Sequence, residues 1–133
     1  MMKMRIASVA LTTLPFLAAC SGGGSAEGDV LLVAAQKFEP SGLTVASGDT
    51  VTFSVDSPDP HTITAYEEDL PDGASFFSTG GAASEEEARS DVATALISEG
   101  DTFEVVLDQP GTYRYFCIPH EGQGMKGSIT VTE

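Results

Sequence analysis

The chain is poor in histidine, cysteine, tryptophan and positive charge. Its 133 residues include no tryptophan, two histidines, two cysteines and six lysine or arginine residues. The shortage of lysine and arginine argues against a nucleic-acid-binding surface, because such surfaces depend on clustered positive charge. The scarcity of histidine and cysteine makes the position of each of them informative.

The chain also lacks an apolar run long enough to cross a bilayer, which takes about 20 residues. Its first apolar stretch, residues 6–19, is shorter and is interrupted by polar residues. The stretch follows Lys3 and Arg5 and ends in Leu-Ala-Ala-Cys at residues 17–20. This is the layout of a secretory signal peptide. We therefore predict that residues 1–19 are removed from the mature protein.

The small residues before Cys20 resemble the lipobox of prokaryotic lipoproteins, in which the cysteine becomes the lipidated N-terminus. The resemblance implies that Cys20 carries a lipid anchor, and the Gly- and Ser-rich composition of residues 20–28 predicts a flexible tether after it. The alternative is an ordinary signal peptide that ends near a cysteine and is followed by a tail without a role. If Cys20 is acylated, Cys117 has no disulfide partner in the chain and is available to a metal.

The mature chain is strongly acidic. Without Lys3 and Arg5, about four cationic residues face twenty acidic ones, a formal charge of about −16. Such a surface favours either solubility in very high salt, where screening suppresses repulsion between carboxylates, or docking to a basic partner. The acidic residues are spread from Glu27 to Glu133 rather than gathered in one segment. Their spread favours salt adaptation and a halophilic source.

The mature sequence has the alternation and the turn spacing of short β-strands. Residues 50–55 alternate with period two and place Val51, Phe53 and Val55 on one face. Further strands are predicted at residues 30–34, 43–45, 62–65, 102–107, 112–117 and 127–131. Strands that recur at short intervals between turn signals predict an all-β sandwich or barrel.

Residues 66–97 interrupt this pattern with a long loop. Ser84 and Glu87 form a capping box at the start of a helix predicted over residues 85–93. The Phe-Phe pair at 76–77 is predicted to pack the loop against the body of the domain.

Three potential metal donors lie close together near the C-terminus. Cys117, His120 and Met125 offer a thiolate, an imidazole and a thioether, and His61 is the other histidine of the chain. Two histidines and one cysteine in a trigonal arrangement, with a weak axial methionine, are the ligands of blue-copper electron-transfer sites. Structural zinc sites favour tetrahedral Cys and His sets without a thioether, so these four residues favour one type 1 copper ion.

The chain resembles the cupredoxins in three segments. These are Cys-x-x-His-x4-Met at 117–125, Pro-His-Thr-Ile at 60–63 and Pro-Gly-Thr-Tyr at 110–113. Within that family it is most similar to the plastocyanin-related halocyanins, peripheral membrane blue-copper proteins of haloarchaea. The resemblance implies a cupredoxin-like Greek-key β-sandwich over residues 29–133, with one short helix in a long inserted loop. It also implies that both histidines bind copper through Nδ1, with Met125 as the long axial donor.

One position departs from the family pattern. Members often carry Asn after the first histidine ligand, and here Thr62 stands in its place. The backbone N–H of Thr62 is predicted to bond to the Cys117 sulfur. A bond through the Thr62 side chain across the loops is the weaker expectation.

The resemblance implies an electron carrier that cycles between Cu(I) and Cu(II) and is not an enzyme. It implies an exported monomer, lipid-anchored at the outer face of the cytoplasmic membrane, with membrane redox proteins as transient partners. A lipoprotein that stores or delivers copper is the alternative. An oxidase with a trinuclear copper cluster needs more histidines, and a dinuclear centre needs a second cysteine beside Cys117.

Overall fold

A computed structural model describes residues 29–33 and 36–133. Its strands are β1 Asp29–Val33, β2 Lys37–Glu39, β3 Gly42–Ala46, β4 Asp49–Asp56, β5 Thr64–Ala65, β6 Thr102–Leu107, β7 Gly111–Phe116 and β8 Lys126–Thr132. Its helices are α1 Glu85–Ser90 and α2 Val92–Ala95, with 3-10 turns at Glu67–Asp69 and Ile118–Gln123. The predicted signal peptide, tether and lipidated Cys20 lie outside the described residues. No helix in the described ranges has the length and apolar character needed to span a membrane.

Two four-stranded sheets form the domain, with strand orders β2-β1-β4-β6 and β3-β8-β7-β5. Strand β1 runs parallel to β4, and β3 runs parallel to β8. The other neighbouring pairs are antiparallel. The chain passes repeatedly from one sheet to the other, which confirms the predicted Greek-key β-sandwich.

The core lies between the sheets and is built from alternate positions of the strands. Three residues of β4 face it, as their period predicts: Val51, Phe53 and Val55. Tyr115 of β7 packs edge-on against Phe38 and Phe53 of the opposite sheet, with ring centroids 4.7 and 5.2 Å away. These aromatic contacts join the two sheets along the strand that leads into Cys117.

Two strands differ from the sequence prediction. Strand β2 was not predicted, because its three residues place one apolar side chain, Phe38, between two charged ones. Strand β5 is two residues long instead of the predicted four. The chain before it is paired differently, because His61 forms an isolated antiparallel bridge with Ile97 rather than a ladder within the sheet.

The loop between β5 and β6 contains two helices where one was predicted. The Ser84 hydroxyl accepts a hydrogen bond from the Glu87 N–H at 3.1 Å, as the capping prediction requires. The Glu87 carboxylate bonds back to the N–H of Ala83 at 2.8 Å, one residue earlier than in a standard capping box. Asp91 then accepts bonds from the N–H and hydroxyl of Thr94. Because such side-chain bonds compete with continued helix, the helix divides at Asp91.

The same loop packs against the segment that carries His61. Phe77 is buried and Phe76 is partly buried against the core, which confirms the predicted role of the aromatic pair. The N–H of Ala65 donates to the Phe77 carbonyl at 3.0 Å, and the N–H of Thr79 donates to the Ile63 carbonyl at 2.9 Å. The loop therefore runs alongside the residues that follow His61 and fixes their path.

Candidate metal centre

Cys117 follows β7 directly and lies where the two halves of the site meet. Its side chain is fully buried. Its Sγ lies 3.3 Å from Nδ1 of His120 and 3.8 Å from Nδ1 of His61. The donor atoms of these three residues all lie within 4.8 Å of one another. Donors bound to one ion at about 2.0–2.3 Å with near-trigonal angles are separated by about 3.4–3.8 Å, so the spacing fits a single metal ion.

His61 is positioned by its backbone and by Ser57. It exchanges two backbone hydrogen bonds with Ile97, at 2.9 and 2.8 Å, and its side chain is fully buried. Its Nε2 lies 3.1 Å from the hydroxyl oxygen of Ser57, which also accepts a bond from the Asp59 N–H at 3.2 Å. With the Nε2–H donating to Ser57, the lone pair of the ring is on Nδ1, which faces Cys117.

Thr62 connects the His61 segment to the residues around Cys117 in two ways. Its N–H donates to the Cys117 sulfur at 3.4 Å, as the sequence predicts. Its hydroxyl oxygen accepts a bond from the Ile118 N–H at 2.8 Å. The side-chain bond was the weaker expectation, and the structure shows that threonine supplies it. An N–H directed at the sulfur stabilises negative charge there.

Residues 117–125, here called the ligand loop, close upon themselves. The Cys117 N–H donates to the Met125 carbonyl at 3.0 Å, and the Met125 N–H donates to the His120 carbonyl at 3.2 Å. Gly124 adopts a φ of +84°, a left-handed conformation that glycine takes without a steric penalty. This turn returns the fully buried Met125 to the side of Cys117.

Burial favours the neutral forms of two donor residues when no metal is bound. It raises the pKa of the Cys117 thiol, against the opposing effect of hydrogen bonds from Thr62 and His120. It also lowers the pKa of His61, an effect that the charge of His120 increases and that of Asp59 opposes. A bound cation reverses the balance at the cysteine, because it stabilises the thiolate directly. A soft thiolate with two neutral imidazoles suits copper, so the donor set fits that ion.

A second group of residues reaches the ligand loop from outside. Glu121, next to His120, accepts bonds from Arg89 at 2.7 Å and from the Tyr66 hydroxyl at 2.8 Å. The bond from Arg89 lowers the pKa of the Glu121 carboxyl, which burial partly opposes, and Tyr66 lowers it further. Burial and the neighbouring Glu121 raise the pKa of Tyr66 to about 12. Arg89 therefore joins helix α1 to the residue after a ligand.

The structure brings together three of the residues that the sequence predicted as ligands, namely His61, Cys117 and His120. Met125 lies buried at the end of the same loop, and its axial role stays a prediction. The contributions of Ser57, Tyr66 and Arg89 were not predicted from the sequence. Only Ser57, four residues before His61, had a usable signal, because a metal-binding histidine needs a hydrogen-bond acceptor for its second ring nitrogen and Ser57 offers one in the same loop.

A buried cysteine sulfur close to two imidazole nitrogens, in a Greek-key β-sandwich, provides the donor set of the mononuclear blue-copper class. The chain belongs to the copper-binding proteins of the plastocyanin/azurin family, whose model matches residues 31–132. His61, Cys117 and His120 are the residues positioned to bind one copper ion.

Comparison with individual relatives agrees with this assignment. The chain is 40% identical over 94 residues to plastocyanin from Scenedesmus fuscus, covering 71% of this chain and 85% of the relative. It is 38% identical over 128 residues to a chloroplastic plastocyanin from Oryza sativa subsp. indica, covering 94% and 73%. A mutant plastocyanin of fern, solved in oxidized and reduced forms, superposes with a TM-score of 0.58 at 35% identity, covering 79% and 100%. The expected similarity to halocyanins stays a prediction.

Proposed function

We propose that the protein carries single electrons between redox partners and performs no reaction on a substrate. The observation that carries the proposal is the convergence of two Nδ1 atoms on the Cys117 sulfur, at 3.3 and 3.8 Å. Copper bound there would supply the Cu(I)/Cu(II) couple. Cys117 and His61 are fully buried and have hydrogen-bonded surroundings, so the donors have little room to rearrange when the charge changes. A small rearrangement favours fast electron transfer.

His120 supports a surface route for the electron. Its side chain is only half-buried, while Cys117 and His61 are inaccessible to solvent. A partner therefore approaches the centre most closely at the His120 side. We expect the contact to be small and transient, as is usual for redox partners. The proposed partners are membrane redox proteins. The proposed carrier is a monomer.

The proposal is tested by the visible spectrum of the purified protein with Cu(II), before and after ascorbate. We expect an intense thiolate-to-Cu(II) band that disappears on reduction and returns on reoxidation. Cys117→Ser should remove the band and leave a folded domain. A wild-type protein that binds only Cu(I) and never shows the band favours copper storage or delivery instead. An intensely blue Cys117→Ser variant contradicts the ligand assignment.

We also propose that Met125 would supply a fourth, weak donor to the copper. Its complete burial and its backbone bond to Cys117 support this, because both keep the residue at the centre. Met125→Leu keeps the volume and removes the thioether, a weak donor that stabilises Cu(II). We expect the reduction potential to rise in voltammetry. An unchanged potential would show that Met125 is not a ligand.

The proposed location is the outer face of the cytoplasmic membrane. The lipobox-like Leu-Ala-Ala-Cys at residues 17–20 supports a lipid anchor on Cys20. Cys20→Ser should move the protein from the membrane fraction to the soluble fraction in its native host. Unchanged fractionation would contradict the anchor but leave the copper proposal intact.

We attribute the acidic surface, with a formal charge of −14 for the whole chain, to adaptation to high salt.

A further inference from the structure

Arg89 contacts the chain on both sides of the ligands Cys117 and His120. Its guanidinium carbon lies 4.3 Å from the ring centre of Phe116, the residue before Cys117. Its Nη1 and Nη2 donate to the two carboxylate oxygens of Glu121, the residue after His120, at 2.7 and 3.2 Å. One side chain from helix α1 therefore contacts both the residue before Cys117 and the residue after His120.

The orientation of Arg89 is fixed by a second carboxylate. Its Nε and Nη2 both donate to Oε1 of Glu85, one turn earlier in α1, at 3.0 and 2.8 Å. Glu85 in turn accepts a bond from the backbone N–H of Glu67 at 2.9 Å. The side chain of Arg89 is thus fixed relative to the loop between β5 and β6 before it reaches the ligand loop.

Tyr66 completes the contact from the same side. Its hydroxyl donates to Oε1 of Glu121 at 2.8 Å, and its ring stacks on Phe116 with centroids 4.3 Å apart and planes 25° apart. Both Arg89 and Tyr66 therefore contact the same two residues, Phe116 and Glu121. We call these four residues the Arg89 cluster.

The geometry separates this cluster from an ordinary surface ion pair. A single exposed pair contributes about 0–1 kcal/mol, because two mobile side chains lose entropy and water screens the charges. Here the Arg–Glu contact is bidentate, the guanidinium covers an aromatic ring, and the carboxylate has a further hydroxyl donor. Such forked contacts fix orientation as well as distance. The contact therefore acts on the position of the ligand loop and not only on the charge of the surface.

We propose that Arg89 is a positioning residue that holds the ligand loop, and with it His120, in ligand geometry before copper binds. The proposal rests on the proposed copper function, since it assigns the loop its ligands. The loop between β5 and β6 would thus hold the ligands in place in the metal-free protein, through the contact of Arg89 with Glu121. Without that contact the loop opens more often, and the donors must be ordered again when the metal enters.

The direct test is amide hydrogen exchange on the metal-free protein. Arg89→Met keeps an apolar stem over Phe116 and removes every bond from the guanidinium. We expect the amides of His120 and Met125, both bonded within the loop, to exchange about tenfold faster. The amide of Phe53 in the central strand β4 serves as a reference for global opening. An unchanged ratio of loop to reference exchange overturns the proposal.

Arg114→Met is the matched control. Arg114 also lies near Tyr66, with its guanidinium carbon 6.0 Å from the ring centre, and pairs with Asp69 at 3.7 Å. Arg114→Met also removes one positive charge near Tyr66, but among the described residues Arg114 has no bond to Glu121. We expect it to leave loop exchange unchanged. If both variants speed exchange equally, the effect belongs to net charge and the proposal is wrong.

Glu121→Gln breaks the same contact from the other side, so by itself it should speed exchange of the His120 and Met125 amides even if Arg89→Met does not fold; unchanged exchange in this variant overturns the proposal. The substitution keeps the shape of the side chain and an oxygen for the Tyr66 hydroxyl, but it loses the ionic contact with Arg89. If the two residues act as a unit, the loop amides of the double variant exchange no faster than those of Arg89→Met alone, whereas independent effects on the exchange rate add. Additive effects on loop exchange overturn the proposal. All variants are compared at one salt concentration, because screening weakens exposed charges.

Copper release from the loaded protein to a chelator supplies a separate readout. We expect release from Arg89→Met to be about tenfold faster than from wild type or from Arg114→Met. The colour of the wild type and the exchange of the Arg89→Met loop together show which of the two proposals has failed. If the wild type is blue and the Arg89→Met loop is as protected as wild type, the inference alone fails. If the wild type binds no copper, the proposed function fails whatever the exchange shows.

Discussion

The two histidines of the metal centre are held by different means. His61 is buried, exchanges backbone hydrogen bonds with Ile97, and has its second ring nitrogen bonded to Ser57. His120 is half-buried on a short 3-10 turn, and among the described residues its Nε2 has no hydrogen-bond partner. Its neighbour Glu121 is held instead by a partly exposed ion pair with Arg89 and by the Tyr66 hydroxyl. Buried contacts therefore fix the part of the centre that carries His61, called the strand side here because its segment follows β4. The part that carries His120, called the loop side, is held by contacts that salt weakens.

Loss of a contact that holds His61 should lower copper affinity more than any other change considered below. Ser57→Ala removes the acceptor that orients His61, and we expect affinity to fall about 10- to 100-fold. Competition with a chelator of known affinity measures the loss. Ser78→Ala is the control, because Ser78 is also buried but its hydroxyl bonds to Thr64 and to the Thr79 carbonyl, neither of which is a predicted ligand. If the two variants bind copper equally well, Ser57 does not position His61.

Thr62 tests the link between the two sides. Thr62→Val keeps the shape and the N–H that points at the Cys117 sulfur, but it leaves the Ile118 N–H without its acceptor. We expect the free energy of unfolding to fall by about 1–2 kcal/mol while the blue band is retained. Thr112→Val removes an exposed hydroxyl bonded to Thr130 at 3.4 Å and should change stability very little. Equal effects in urea unfolding would show that the link contributes nothing.

Acid should weaken the two sides at different pH values in the metal-free protein. His61 has a lowered pKa, so below about pH 6.5 the unfolded chain takes up a proton that the folded protein does not. Stability present above pH 6.5 is then lost as the pH falls, by at most about 1.4 kcal/mol per pH unit. Glu121 also has a lowered pKa, and its contribution, present above its ordinary value of 4.5, is lost only below that.

Urea unfolding between about pH 7.5 and 3 separates the two effects, because it spans the ordinary pKa of His61 and the region below that of Glu121. His61→Asn removes the imidazole, so the loss of stability that begins below about pH 6.5 should disappear while the loss below pH 4.5 remains. Glu121→Gln should reduce the loss below pH 4.5 and leave the one that begins below about pH 6.5. A loss of stability that begins only below pH 5 in the wild type contradicts the assigned state of His61.

The regular parts of the molecule could be predicted because their information is local. The alternation of residues 50–55 and the Cys-x-x-His-x4-Met spacing each lie within a few residues, and the structure agrees with both strand β4 and the ligand loop. The approach of His61 was also predictable, since the chain offers one other histidine. The Arg89 cluster was not, because Arg89 and Glu121 are 32 residues apart and nothing in either segment indicates the other.

The smallest effect concerns the core between the two sheets, where the hydroxyl of Tyr115 lacks, within the described part of the chain, a hydrogen-bond partner such as those that Ser57 and Thr62 have at the metal centre. Among the described residues the hydroxyl of Tyr115 has no hydrogen-bond partner, although its side chain is fully buried. Tyr115→Phe should raise the free energy of unfolding by about 0.5–1 kcal/mol, because no bond is lost and a polar group leaves the interior. Tyr113 is the matched control.

The hydroxyl of Tyr113 donates to the Gln109 carbonyl at 2.8 Å, so Tyr113→Phe makes the same chemical change and should lower stability by about 1 kcal/mol. Both residues lie on one face of β7, two positions apart. Opposite signs in urea unfolding would confirm that hydrogen bonding decides the effect of a buried hydroxyl in this strand. A loss in both variants would mean that the Tyr115 hydroxyl is bonded, and the interior beside Cys117 would then be as fully paired as the strand side.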